Sequence, residues 1–190
     1  NKKGDIHVAQ DDKRLFTAIR CTDEVREVLE KNSLMLEQFG RVRLTRPENF
    51  HITLIYVGGT SREQDVRQAM RELACEPFDL EFDAAGWFMR PEGMLVWQGV
   101  RVSNELVQVH QQLNDNLCWR GFCSPDLPFT PHITLGRRFR PFKNHRAESV
   151  LASLEVPSIM RVDSVSLFES KRVNDVLVYE ELERLEVQPH

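Results

Sequence analysis

His51-Ile-Thr-Leu54 recurs unchanged as His132-Ile-Thr-Leu135, 81 residues later in a chain of 190. In a strand, residues i and i+2 share a face. His51 and Thr53 therefore project to one side, and Ile52 and Leu54 to the other. His132 and Thr134 stand in the same way against Ile133 and Leu135. Each copy offers an imidazole and a hydroxyl on one face while its apolar face enters a core. The spacing is close to half the chain, which predicts equivalent strands of two similar lobes. A chain of this composition would show His-aliphatic-Thr-aliphatic about 0.01 times by chance. Outside the tetrapeptide the halves are too dissimilar to read as a sequence repeat.

Around these two anchors the pattern is mixed. Residues 14–19 alternate as a first strand, and Thr22 caps a helix carrying Val25, Leu29 and Leu36 on one face, stopped by Gly40. Val42 and Leu44 suit a short strand. Residues 50–57 form a more buried one, which Gly58-Gly59 is expected to end. Ser61-Arg-Glu-Gln64 reads as a capping box for a helix through Cys75. Phe78, Leu80 and Phe82 alternate, and two strands flank the turn Arg90-Pro-Glu-Gly93. Ser103 caps a helix with Leu106, Val109, Leu113 and Leu117 inward, ended by Gly121. A strand over 131–136, a short helix over 144–154 and strands over 162–168 and 176–182 complete the chain. Hairpins rather than strict strand–helix alternation favour an α+β class. No glycine-rich loop follows a strand, so a phosphate-loop or dinucleotide fold is excluded.

Composition sets further bounds. The chain is 41% hydrophobic and 28% charged, which excludes disordered and fibrous classes. No apolar run approaches the roughly 18 residues of a membrane span. A net charge of −4 excludes a uniformly basic nucleic-acid coat. Local basic stretches remain. Residues 127–147 hold Arg137, Arg138, Arg140, Lys143 and Arg146 without an acid, and Arg41, Arg43 and Arg46 lie between Glu37 and Glu48. Both flank a His motif, where positive potential attracts phosphates. Cys21, Cys75, Cys118 and Cys123 show no metal spacing, and a reduced, cytoplasmic setting is expected. Residues 1–12 are read as a flexible or tag-like start.

If the two lobes face each other, two imidazoles and two hydroxyls converge on one cleft. One imidazole can take a proton from a nucleophile while the other gives one to the leaving oxygen. Two hydroxyls can hold phosphate oxygens. The alternatives are satisfied strand histidines, or a metal site that would lack a convergent carboxylate or Cys. No metal and no cofactor is expected.

The chain resembles the 2H phosphoesterases, and within them the bacterial RNA 2′,3′-cyclic phosphodiesterase group, also called 2′-5′ RNA ligases. The resemblance covers residues 13–185. It rests on Arg14-Leu-Phe-Thr-Ala-Ile19, Pro47-Glu-Asn-Phe-His-Ile-Thr-Leu54, Leu95-Val-Trp97, Phe129-Thr-Pro-His-Ile-Thr-Leu135 with Arg137, and Val165-x-Leu-Phe-x-Ser170 followed by Tyr179. It implies one domain of two intertwined, pseudo-symmetric lobes, with antiparallel sheets flanking a central cleft and helices outside. It also implies hydrolysis of RNA 2′,3′-cyclic phosphate ends to 2′-phosphates, with reversible 2′-5′ ligation. His51 would be the proton donor, His132 the proton acceptor, and Thr53 and Thr134 the phosphate binders. Arg137 would be a further phosphate contact, although simple alternation turns it away unless Gly136 kinks the strand.

The alternatives kept open are a related enzyme acting on 2′-5′ linkages or small cyclic nucleotides, and a non-catalytic RNA-binding module. The expected partner is an RNA end bearing a cyclic phosphate. A monomer is expected, with no membrane. Phe50 and Phe129 read as core or base-stacking residues, His110 as a packed histidine, and Trp87, Trp97 and Trp119 as core or lobe-packing residues. The acidic run Glu180, Glu181, Glu183 and Glu186 reads as a solvated edge and tail.

Overall fold

The computed structural model of the chain describes residues 12–123 and 128–188, so the expectation for residues 1–12 falls, Asp12 apart, outside the described residues. The elements are β1 (Lys13–Arg20), α1 (Asp23–Phe39), β2 (Gly40–Leu44), a 3₁₀ turn (Pro47–Asn49), β3 (His51–Thr60), α2 (Glu63–Arg71), β4 (Phe78–Leu80) and β5 (Phe82–Arg90). They continue with β6 (Gly93–Val100), α3 (Asn104–Cys118), β7 (His132–Pro141), α4 (Ala147–Ala152), β8 (Met160–Val162), β9 (Ser164–Val173) and β10 (Val176–Glu186). The class is α+β, with two four-stranded antiparallel sheets, ordered β10-β9-β1-β3 and β2-β7-β6-β5. A two-stranded sheet pairs β4 with β8.

Strand–helix–His strand–helix–short strand–long strand runs twice, as β1-α1-β3-α2-β4-β5 and as β6-α3-β7-α4-β8-β9. The last strand of each run is exchanged. β5 pairs with β6 of the second run, and β9 pairs with β1 of the first. The first helices cross over as well, since α1 packs on β2 and β7 and α3 packs on β3. Neither sheet is built from one half of the chain. Leu29 and Leu36 from α1, Leu106 and Leu113 from α3, and Ile52 and Ile133 beneath the two histidines are among the fully buried core residues. Each such side chain contributes about 1.5–3 kcal/mol relative to exposure.

Thr22 and Ser103 cap α1 and α3, their hydroxyls accepting from Val25 N and Leu106 N. Several expectations change. Gly58-Gly59 does not end β3. Gly58, at φ +90°, sits where Val57 bulges out of register with β1, and pairing continues to Thr60. Ser61 does not cap α2, which starts after Arg62 without a side-chain cap and stops at Arg71; Thr60 Oγ1 instead accepts from Arg62 N at 3.0 Å. The alternation of buried Phe78, Leu80 and Phe82 holds, but the strand is interrupted at Glu81, where the chain leaves the two-stranded sheet for a four-stranded one. β1 is buried on both faces from Leu15 to Ile19, because Phe16 and Ala18 meet Phe168 and Tyr179 in a second apolar cluster. Trp119 is 88% exposed and is no core residue. The acidic run in β10 is paired at Glu180, Glu181 and Glu183. Glu183 receives Arg67 at 2.7 Å and Arg71 at 2.9 Å, tying α2 to β10, and Glu181 receives Arg20 at 2.7 Å.

β2 lies against β7 closely enough that a Cβ on Gly136 would stand 2.6 Å from Val42 Cγ2. Replacing Gly136 by Ala should cost about 1–3 kcal/mol through overpacking. Urea unfolding should show the loss, and Val42→Ala in the same chain should recover part of it, because the two changes share one contact.

Candidate active site

His51 opens β3 and His132 opens β7, the former at the sheet edge that faces β7. Both imidazoles are anchored in the same way. Nδ1 of His51 donates to Asn49 O at 2.6 Å, and Nδ1 of His132 donates to Thr130 O at 2.7 Å. A carbonyl only accepts, so Nδ1 carries the proton in each neutral ring and Nε2 is the nitrogen that exchanges. Thr53 Oγ1 lies 2.9 Å from His51 Nε2 and donates to it when the ring is neutral. Among the described residues, neither His132 Nε2 nor Thr134 Oγ1 has a protein hydrogen bond.

Both His strands then bulge at the same step. In β3 the register against β1 shifts between Thr53 and Ile55; in β7 the register against β6 shifts between Thr134 and Gly136. Two consecutive residues turn into the core, Leu54 with Ile55 and Leu135 with Gly136. The next residue is thereby returned to the face of the histidine. That residue is Tyr56 in one strand and Arg137 in the other, each five positions after its histidine. Alternation alone turns Arg137 away; the bulge at Gly136 brings it back. Thr17 Oγ1 takes up the Ile55 N–H at the first bulge, at 3.1 Å.

A single cavity of about 590 Å³ is lined by His51, Thr53, His132, Thr134 and Arg137 together. All five residues singled out from the sequence thus meet in one place. Its lining also includes Arg43, Arg46 and Arg172, with Asp175 the carboxylate among the lining residues. Phe16, Tyr56 and Tyr179 complete the wall around His51. Sequence reasoning missed these three as site residues, although aligning the two motifs six residues deep would have matched Tyr56 to Arg137. Tyr179 stands edge-on to His51 at 5.1 Å and Phe16 is tilted against it at 4.9 Å. His132 is flanked by Phe88 at 5.3 Å and Trp97 at 6.3 Å. Phe50 is buried, and Phe129 stacks on His110 at 4.0 Å, so neither faces the cavity.

Burial lowers the His51 pKa to about 4, against the Asn49 carbonyl, and repulsion from the Arg137 guanidinium, and from the His132 ring whenever that ring is charged, pushes the same way as burial. Burial also raises the Tyr179 phenol above its ordinary value. His51 is therefore neutral at neutral pH in this structure.

The chain matches the model of the 2′-5′ RNA ligase superfamily over residues 17–174. It is 32% identical to an Archaeoglobus fulgidus protein named RNA 2′,3′-cyclic phosphodiesterase, over 85% of this chain and 87% of that protein. A Methanothermobacter thermautotrophicus protein of the same name is 27% identical over 90% and 96%. In fold the chain is similar to the crystal structure of Escherichia coli LigT in apo form, with a TM-score of 0.77, 24% identity, and 94% and 99% of the two chains covered. Thermus thermophilus TT0787 gives a TM-score of 0.76 at 22% identity, over 93% and 98%.

Carbon-13 NMR titration should find His51 protonating near pH 4 in the free chain. The unfolded chain takes that proton near pH 6.5. Below 6.5 the unfolded state then binds more protons, so this group's contribution to stability is lost as pH falls from 6.5 toward 4. Inorganic phosphate should raise the titration midpoint, because an anion in the cavity favours the imidazolium.

Proposed function

The chain belongs to the 2′-5′ RNA ligase superfamily, and on that premise we propose that it hydrolyses RNA 2′,3′-cyclic phosphate ends to 2′-phosphates by two-histidine acid–base catalysis. The observation that carries the reading is the pair of imidazoles facing one cavity, each held through Nδ1 with Nε2 left to exchange protons. In the proposed reaction the cyclic phosphate sits between the rings. His132 Nε2 takes a proton from water as the water oxygen bonds to phosphorus. The bond from phosphorus to O3′ breaks, and His51 Nε2–H delivers its proton to that oxygen. Thr53, Thr134 and Arg137 hold the non-bridging oxygens as charge builds on them. The product is a 2′-phosphate beside a 3′-hydroxyl. Exchange with solvent then returns both rings to their starting states. Attack by the 5′-hydroxyl of a second RNA in place of water gives a 2′-5′ linkage, which is the proposed ligation.

Burial keeps His51 neutral, and the substrate anion supplies the countercharge that lets it carry the donated proton. Its neutrality favours one second reading, in which the roles are reversed and His51 is the acceptor. The proposed setting is the reducing cytoplasm, in keeping with the free thiols of Cys21, Cys75 and Cys123, and the proposed form is a monomer.

The test is turnover of a short RNA with a 2′,3′-cyclic phosphate end, in EDTA. Wild type should form the 2′-phosphate. His51→Ala and His132→Ala should each lose about 10²–10⁴-fold, with RNA binding largely kept. No turnover by wild type, or equal turnover by all three, overturns the reading. A substrate with sulfur at the bridging 3′ position needs no proton on its leaving group. It should restore His51→Ala and not His132→Ala, whereas reversed roles predict the opposite rescue.

A further inference from the structure

The face of the β2–β7 pair beside the cavity carries a group of charges that the acid–base step does not use. Arg41 stands directly opposite Arg140, and Arg43 opposite Arg137, across the two antiparallel strands. Opposed residues share a face. On β2 the i, i+2 spacing keeps Arg41 and Arg43 together, with half-buried Val42 on the other side. On β7, Arg138 at φ +58° is the extra residue where the register shifts, so Arg137 and Arg140 stand on one face while Phe139 is fully buried. All four guanidinium-bearing residues are exposed. Arg43 and Arg137 line the cavity, and Arg41 and Arg140 continue the row beyond it.

Like charges directly opposite one another destabilise a sheet. Other arginines in the chain answer this with carboxylates, as Arg67 does with Glu63 and Glu183. Among the described residues, none of these four has a carboxylate within 4.0 Å. Arg140 rests on a backbone oxygen, its Nη2 donating to Glu92 O at 3.0 Å. Arg172, on the far wall, is held by its own turn, donating to Asp175 O at 3.1 Å. An uncompensated two-by-two block of arginines that starts in the cavity and leads out of it is complementary to a polyanion.

We propose that this block holds the phosphodiester backbone on the 5′ side of the cyclic end, so that the preferred substrate is an oligoribonucleotide rather than a mononucleotide. The proposal rests on the phosphodiesterase reading given above. A cyclic phosphate closes the 3′ end of a strand, so the rest of the strand leaves the cavity in one chemical direction only. From the rim at Arg43 and Arg137 the row advances by two residues of strand, about 6.6 Å, to Arg41 and Arg140. Contacts of this kind carry no base information, and they make binding fall with salt.

The experiment compares a nucleoside 2′,3′-cyclic phosphate with a short oligoribonucleotide ending in the same group, over a range of salt. It uses wild type, Arg41→Gln/Arg140→Gln and Arg41→Lys/Arg140→Lys. Wild type should favour the oligonucleotide. The Gln pair should lose on the order of tenfold in kcat/KM on the oligonucleotide, and the slope of log KM against log salt should become shallower by about 1.4. Its turnover of the mononucleotide should be unchanged, and the Lys pair should retain most of the oligonucleotide preference. Wild-type behaviour of the Gln pair on both substrates overturns the proposal, and so does an equal loss on both. Absence of turnover on both substrates by wild type instead sinks the phosphodiesterase reading. Salt-dependent binding of a 3′-phosphorylated RNA to wild type and to the Gln pair then decides the arginine block by itself.

Discussion

The hydrogen bond from each Nδ1 to the carbonyl two residues upstream is the contact on which the site depends. It fixes the tautomer and the ring plane of His51 through Asn49 O, and of His132 through Thr130 O. A free imidazole would present either nitrogen and sample several rotamers, and a proton carrier in that state has no defined reach. Here Nε2 is assigned to the cavity before any substrate arrives. The rest of the fold supplies what two such anchored rings require, which is a pair of strands brought face to face with a rigid floor beneath them.

Strand exchange provides that rigidity. β5 and β9 each complete the sheet built on the other run of elements, and α1 and α3 each pack on the opposite sheet. The two histidines are therefore not carried by two separable bodies that could drift apart. Ile52 and Ile133, the residues between His and Thr, are fully buried in one continuous core. A displacement of either motif would have to disturb that core, which is close-packed and resists small deformations.

Much of this arrangement is legible in the sequence, because the tetrapeptide combines a strand period with polar groups that have no place in a core. The helix caps at Thr22 and Ser103 are legible for the same local reason: each side chain acts on an N–H three residues away. The bulges are not legible. Register is set by the neighbouring strand, and nothing local to Leu54 or Leu135 says that the next residue also turns inward. Tyr56 follows from the first bulge and stayed hidden with it, while the orientation of Arg137 was legible only as the condition that Gly136 kink its strand. Gly58-Gly59 and Ser61 misled in the opposite sense. They carry the chemistry of a strand end and of a helix cap, but pairing with β1 runs through the glycines and the helix begins one residue later, after Arg62.

Two identical rings in identical surroundings would share a proton equally, which assigns neither of them as donor or as acceptor. The tetrapeptide is the same in both halves, so the difference must come from what surrounds it. Position five after each histidine is one difference: a tyrosine on the first strand, whose hydroxyl accepts from Arg14 at 3.1 Å, and an arginine on the second. The aromatic wall is another, since Phe16 and Tyr179 close around His51 and exclude the water that would stabilise its charge. Arg137, contributed by the second strand, adds its positive charge to the same effect on His51. The asymmetry extends outward along that strand, where the opposed arginines are confined to β2 and β7. The two copies of the motif are thus distinguished by features that the duplication does not share. The same unshared side of the cavity is where a polyanionic strand has the most favourable exit.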